Sequence, residues 1–111
     1  MIKGIDFSRL KFNSDGLIPV IAQNADTGDV LMLAWMNLEA LEQSVNLGEA
    51  VYFSRSRNEL WHKGSTSGNV QKITEFGIDC DADALLIKVI PAGPACHNGT
   101  DSCFDTERVS V

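Results

Sequence analysis

The sequence predicts a strand-dominated α+β fold, a compact single domain of mostly antiparallel strands with one or two short helices. Three features predict it: apolar residues gather in short runs, turn-forming residues separate those runs, and only one segment carries helical periodicity. Residues 17–25 are apolar apart from Gln23 and Asn24, the cluster Asp26-Thr27-Gly28-Asp29 follows, and residues 30–36 are apolar again. That arrangement predicts a β-hairpin with a short loop. Asn37 is placed to cap a helix whose apolar residues Leu38, Leu41 and Val45 recur at helical spacing, and Gly48 stands where a C-terminal cap belongs. Residues 50–54 have strand composition, and Arg55-Ser56-Arg57-Asn58 begins a polar connection to Leu60-Trp61-His62-Lys63. Small and hydroxyl residues at 64–68 break the pattern. Residues 70–78 then alternate between apolar and polar, and 84–90 are nearly all apolar, as in a buried strand. Pro91, Gly93 and Pro94 end that strand and leave Cys96, His97 and Cys103 in an irregular segment.

Bulk properties narrow the function classes. Residues 1–111 are expected to form one domain, large enough for a hydrophobic core, and the 44% hydrophobic and 22% charged fractions are those of an ordinary globular protein. A formal charge of -6 repels polyphosphate backbones, so nucleic acid is not an expected partner. No apolar stretch approaches the roughly 18 to 20 residues that span a bilayer, and the N-terminus lacks a basic-then-apolar leader, so no membrane partner and a cytoplasmic location are expected. Three cysteines without a secretory signal argue for reduced thiols rather than a disulfide framework.

Three constellations can carry chemistry. In the first, Asp79, Asp81 and Asp83 recur at every second position around Cys80. On a β-strand the carboxylates would share one face and Cys80 the other, an arrangement that like-charge repulsion disfavours unless a cation sits there. Hard oxygen ligands suit Mg²⁺; a solvated acidic turn is the alternative. A calcium-binding EF-hand is excluded, because its sixth position is Ala84 and its twelfth Ile90, not Gly and Glu.

In the second, Cys80, Cys96 and Cys103 lack the Cys-x-x-Cys spacing of zinc ribbons. Three protein ligands with a fourth position left for water is the pattern of catalytic zinc, and small buried core residues are the alternative. The third joins Ser54-Arg55-Ser56-Arg57 to Trp61-His62-Lys63-Gly64-Ser65-Thr66-Ser67-Gly68. Its cations, hydroxyls and glycines suit phosphate, although Lys63 precedes the glycine and hydroxyl residues and so does not form a Walker loop. Trp61 can stack on a base or belong to the core. His62 and His97 are the only histidines, and each can act as acid or base near neutral pH. A dinucleotide fingerprint, a Gly-x-Ser-x-Gly elbow, a His-Glu-x-x-His pair and the zinc deaminase signature are all absent.

Taken together, Trp61-His62-Lys63-Gly64 with Thr66-Ser67-Gly68 and Gln71, Asp79-Cys80-Asp81-Ala82-Asp83-Ala84-Leu85-Leu86, Ala95-Cys96-His97 and Ser102-Cys103-Phe104 closely resemble the phosphoribosyl-AMP cyclohydrolase family. The likeness extends upstream to Leu17-Ile18-Pro19-Val20-Ile21-Ala22-Gln23, Met32-Leu33-Ala34-Trp35-Met36-Asn37 and Ser54-Arg55-Ser56-Arg57, and so covers most of the chain. Those enzymes open the purine ring of phosphoribosyl-AMP in histidine biosynthesis. The resemblance implies Mg²⁺ on Asp79, Asp81 and Asp83, and Zn²⁺ on Cys80, Cys96 and Cys103. It further implies an obligate homodimer in which Cys80 of one protomer joins the partner's Cys96 and Cys103.

From their chemistry Arg55, Arg57, Trp61, Lys63, Thr66 and Ser67 are expected to bind the substrate, and His97 and His62 to serve proton transfer. His97 is also a candidate second-metal ligand. Thr100-Asp101 departs from the basic residue common in relatives, as Ser65 does from an acidic one. A substrate-forming pyrophosphohydrolase, fused to some relatives, is expected on another protein. A zinc-stapled dimerisation module without activity and a nucleotide deaminase are the alternative functions.

Overall fold

A computed structural model describes residues 6–111. A 3-10 turn, Phe7–Arg9, precedes strands β1 (Ile18–Asn24) and β2 (Val30–Met36). Helix α1 (Leu38–Leu47) follows, then β3 (Val51–Ser54), β4 (Glu59–His62), β5 (Gln71–Ile78) and β6 (Leu85–Pro91). Four strands form one sheet in the order β2-β1-β6-β5, and β3 and β4 form a separate ribbon. All pairings are antiparallel except β1 with β6. The chain is thus the strand-dominated α+β domain that its patterning predicts. Among the described residues no helix is long and apolar enough to cross a membrane.

The first hairpin forms where the turn cluster stands, and the Asn24 side chain accepts the backbone N–H groups of Asp26 and Thr27 to close it. Asn37 caps α1 by accepting the Ala40 N–H at 2.8 Å, and Gly48 ends the helix at φ 72°, a conformation that glycine adopts without steric cost. The buried face of α1 runs through Ala40, Leu41 and Ser44, while Leu38 is half exposed. Ser44 is affordable there because its hydroxyl donates to the Ala40 carbonyl at 2.8 Å and accepts the Val51 N–H at 2.9 Å.

Alternation along the central strands sorts the sheet into two faces. Ile18, Val20 and Ala22 of β1 and Leu85, Ile87 and Val89 of β6 point into the core with Met32, Met36, Leu41, Val51 and Tyr52. Each fully buried aliphatic side chain of this size contributes about 1.5–3 kcal/mol relative to exposure.

Residues 79–83 do not continue β5. They form a turn between β5 and β6, so of the two conformations open to the acidic run the structure has the acidic turn and not a strand with carboxylates on one face and Cys80 on the other. The Asp79 carboxylate accepts the Asp83 N–H at 3.0 Å, and the Asp79 carbonyl accepts the Ala82 N–H at 2.9 Å. Aspartate competes for nearby backbone donors in this way, which favours turns over strand ladders. Ala82 takes φ 61° to close the turn, and its carbonyl accepts the Lys11 N–H at 2.7 Å.

Candidate active site and metal-ligating residues

A cleft of 620 Å³ lies between the β3–β4 ribbon, the loop after β4 and the irregular segment after β6, within the usual size of ligand pockets. Its walls include Arg57, Trp61, His62, Lys63, Thr66 and Ser67 from the first two. Cys96 and His97 close it from the third. Residues separated by about thirty positions of chain are therefore brought to one opening.

The loop after β4 is built around Gly64. At φ +85° it turns the chain so sharply that a Cβ would stand 2.2 Å from the Val70 nitrogen. The His62 carbonyl accepts the Ser65 N–H at 3.1 Å, and the Gly64 carbonyl accepts the Gly68 N–H at 2.8 Å. Gly93 lets the third segment pass close over this loop, since a Cβ there would meet the Asn69 side chain at 2.2 Å.

Lys63 is only 6% exposed, an unusual position for a lysine, and its ammonium lies 5.3 Å from the centroid of the Trp61 ring. Trp61 in turn packs against Tyr52, with ring centroids 5.7 Å apart, so it is at once cleft wall and core neighbour. Arg55 does not line the cleft; its guanidinium lies 4.7 Å from the Trp35 ring centroid. Arg57 is held near Glu59 at 3.6 Å in an exposed pair.

Cys103 is pinned to the main sheet. Its N–H donates to the Leu31 carbonyl at 2.7 Å, and the neighbouring Ser102 hydroxyl donates to the Val30 carbonyl at 2.7 Å. Cys96 is buried, and the Thr100 carbonyl accepts its N–H at 3.2 Å. The Asn98 N–H, then the Thr100 hydroxyl, hold the Cys96 thiol below its ordinary value, with the Lys63 charge adding to them. Burial, then the adjacent Cys96, pushes the Cys103 thiol up. The fold thus pairs two thiols beside one buried cation and favours the thiolate on Cys96.

Cys80 is exposed on the turn after β5. Among the described residues no three His, Cys, Asp or Glu side chains converge closely enough to hold a metal ion within one chain. In the acidic turn, backbone N–H donation from Asp83 holds the Asp79 carboxyl below its ordinary value, whereas the Asp79 side chain pushes Asp83 up. Two of the three carboxylates therefore compete for one proton or cation, and Asp81 adds to the charge on Asp83.

Of two polar residues near the cleft, Glu49 has no signal in the sequence and Gln71 is marked only by the motifs that carry the resemblance. Glu49 follows the α1 cap and pairs with His62 at 2.7 Å. Gln71, the first residue of β5, is buried and receives the Tyr52 hydroxyl at 2.6 Å.

The sequence profile described as phosphoribosyl-AMP cyclohydrolase matches residues 32–105. Proteins named phosphoribosyl-AMP cyclohydrolase share much of the chain. That of Acidiphilium cryptum is 55% identical over 94 residues, covering 85% of this chain and 81% of its own. That of Methylibium petroleiphilum is 58% identical over 99 residues (86% and 77%), and that of Thermobifida fusca 53% over 102 residues (92% and 88%). A profile that spans both walls of the cleft, and identities above one half across most of the chain, show that this chain belongs to the phosphoribosyl-AMP cyclohydrolase family.

Proposed function

We propose that the protein hydrolyses the N1–C6 bond of the adenine ring in 1-(5-phosphoribosyl)-AMP, giving the ring-opened imidazole carboxamide of histidine biosynthesis, and that it does so as a cytoplasmic homodimer. The observation that carries this reading is the cleft in which His62, Lys63, Thr66, Ser67, Cys96 and His97 meet, in a chain of this family.

The ribosyl group on N1 makes the ring cation-like and C6 electrophilic. Water adds its oxygen to C6, the C6–N1 bond breaks, N1 leaves as part of an amidine, and the C6 amine remains as a carboxamide. A deaminase would instead expel that amine as ammonia. In this reading His97 and His62 take the proton from water and return one to the departing nitrogen, as imidazoles can near neutral pH. The hydroxyls of Thr66 and Ser67, with the Arg57 guanidinium, hold the 5′-phosphates. Trp61 offers an aromatic face to the base. Lys63, buried beside the thiols, supplies a positive potential at the floor of the cleft.

The donor set fits zinc. Cys96 and Cys103 present two soft sulfurs together, one favoured as thiolate, and Cys80 stands exposed on a different turn, available to a second copy of the chain. The three thiolates would hold zinc, whose Lewis acidity would lower the pKa of a water to about 7. Asp79, Asp81 and Asp83 are hard donors that fit Mg²⁺, which would relieve the repulsion between Asp79 and Asp83.

The test is to incubate the protein, loaded with zinc and Mg²⁺, with phosphoribosyl-AMP while following ultraviolet absorbance and ammonia. Ring opening without ammonia is the expected result. Ammonia release would turn the reading to a deaminase, and an unchanged substrate would turn it to a zinc-stapled module without activity.

A further inference from the structure

Behind the cleft wall, His62 and Glu49 form a contact that the family resemblance does not account for. His62 Nε2 lies 2.7 Å from Glu49 Oε1, with both side chains about one third exposed. His62 lines the cleft, and Glu49 does not. Because a carboxylate only accepts, the pairing assigns the proton to Nε2 and leaves Nδ1 as the ring nitrogen with a lone pair for a ligand.

Both ends of this contact rest on fixed backbone. Glu49 bridges antiparallel to Lys72, and the residues on either side of it are tied to β5: the Gly48 carbonyl accepts the Ile73 N–H at 2.8 Å, and the Ala50 N–H donates to the Gln71 carbonyl at 2.9 Å. His62 sits in register with Val51 across the β3–β4 ribbon, and the next residue donates from the Lys63 N–H to the Ala50 carbonyl at 3.1 Å. Two strand ladders therefore determine the separation of carboxylate and imidazole. A pair with flexible ends would spend conformational entropy to form; this one is already ordered by the folding of β3, β4 and β5.

We infer that Glu49 is a positioning residue, which holds the His62 ring in the Nε2-protonated tautomer and fixes its orientation at the cleft. This rests on the reading of His62 as a proton-transfer group and deepens it. A carboxylate behind an imidazole serves this purpose generally: it selects the tautomer and stabilises the imidazolium that forms when the other nitrogen takes a proton.

The experiment combines a kinetic cycle with a spectroscopic readout on the full-length, metal-loaded protein. Glu49→Ala is expected to lower kcat about tenfold with KM within about twofold, and to change kcat by less than about twofold when introduced into His62→Ala, as for two residues acting as a unit. Nitrogen NMR of the His62 ring is expected to show Nε2–H alone in the wild type and a mixture of neutral tautomers in Glu49→Ala. Glu49→Gln, which keeps the size of the side chain and guards against misfolding, can donate as well as accept and carries no charge, so it is expected to recover kcat only in part. An unchanged tautomer in Glu49→Ala, or an equal loss of kcat in both backgrounds, overturns the proposal. Wild-type kcat in His62→Ala overturns the proton-transfer reading of His62 and with it the kinetic half of the proposal, and the tautomer measurement still decides whether Glu49 holds the ring.

Discussion

The Tyr52 hydroxyl donates to Gln71 Oε1 at 2.6 Å in the interior, and the Gln71 amide reaches the Met32 sulfur at 3.4 Å. This chain of polar contacts links β3, β5 and β2 beneath the segment that carries Cys103. Tyr52 is fully buried, and that burial, followed by the nearby Cys103, raises its phenol well above the ordinary value.

Alkaline stability follows from that shift. A folded-state pKa above the unfolded value of 10.0 means that the contribution of Tyr52 is fully present below pH 10 and is lost as pH rises from there toward the folded value. The decline reaches at most about 1.4 kcal/mol per pH unit for one group. Tyr52 is the only tyrosine, so phenolate absorbance is expected to appear together with loss of circular dichroism and not before it. Tyr52→Phe is expected to cost about 1–3 kcal/mol near neutral pH, because it strands a buried acceptor on Gln71, and to show a shallower alkaline decline. Chemical denaturation across pH 8–12 measures both.

Gly64→Ala is expected to disable the cleft. Its left-handed φ and the 2.2 Å approach to Val70 leave no room for a side chain, and the obstacle is backbone. A cost of about 3 kcal/mol or more is expected. Gly68→Ala, also at positive φ but with nothing within 4 Å, is expected to cost only the conformational part. Thermal melts of the two variants separate steric from conformational strain.

Asn37→Ala removes the cap of α1 at a point away from the cleft. Loss of the 2.8 Å bond to the Ala40 N–H is expected to lower stability by about 1 kcal/mol and Tm by about 4 °C, with kcat unchanged. A calorimetric scan and an activity assay on the same sample check it.

The proposed sharing of zinc between the protomers of a homodimer would predict complementation. Cys80→Ser and Cys96→Ser homodimers are each expected to lose turnover and zinc. After random mixing, heterodimers would carry one intact ligand set, and activity would return to about one quarter of wild type. Metal analysis of the mixture provides a readout independent of turnover. No recovery after confirmed subunit exchange would place all three thiols in one chain.

Local signals carried much of the fold. The hairpin of β1 and β2 follows from two apolar runs about a turn cluster, and α1 from Asn37 and Gly48 at its ends, because turns and caps depend on residues close in sequence. The acidic segment was legible as a cluster but not as a conformation. Its alternation left a strand and an acidic turn both open, and the outcome was decided by the Asp79 side chain capturing the Asp83 N–H, with Ala82 at positive φ closing the turn.

The candidate chemical groups Cys96, His97, His62 and Lys63 were evident as residue types, and family likeness was written in the motifs that contain them. What only the tertiary structure decided is which of them meet. Parallel pairing of β1 with β6 and the loop over Gly64 bring the segment after β6 against the ribbon, burying Lys63 beside two thiols and leaving Arg55 against Trp35. Glu49 had no periodicity or motif to mark it, since its partner His62 is reached through strand ladders rather than along the chain. Residue chemistry is a property of the sequence; distance between side chains remote in sequence is set by long-range strand pairing, which local patterning does not encode.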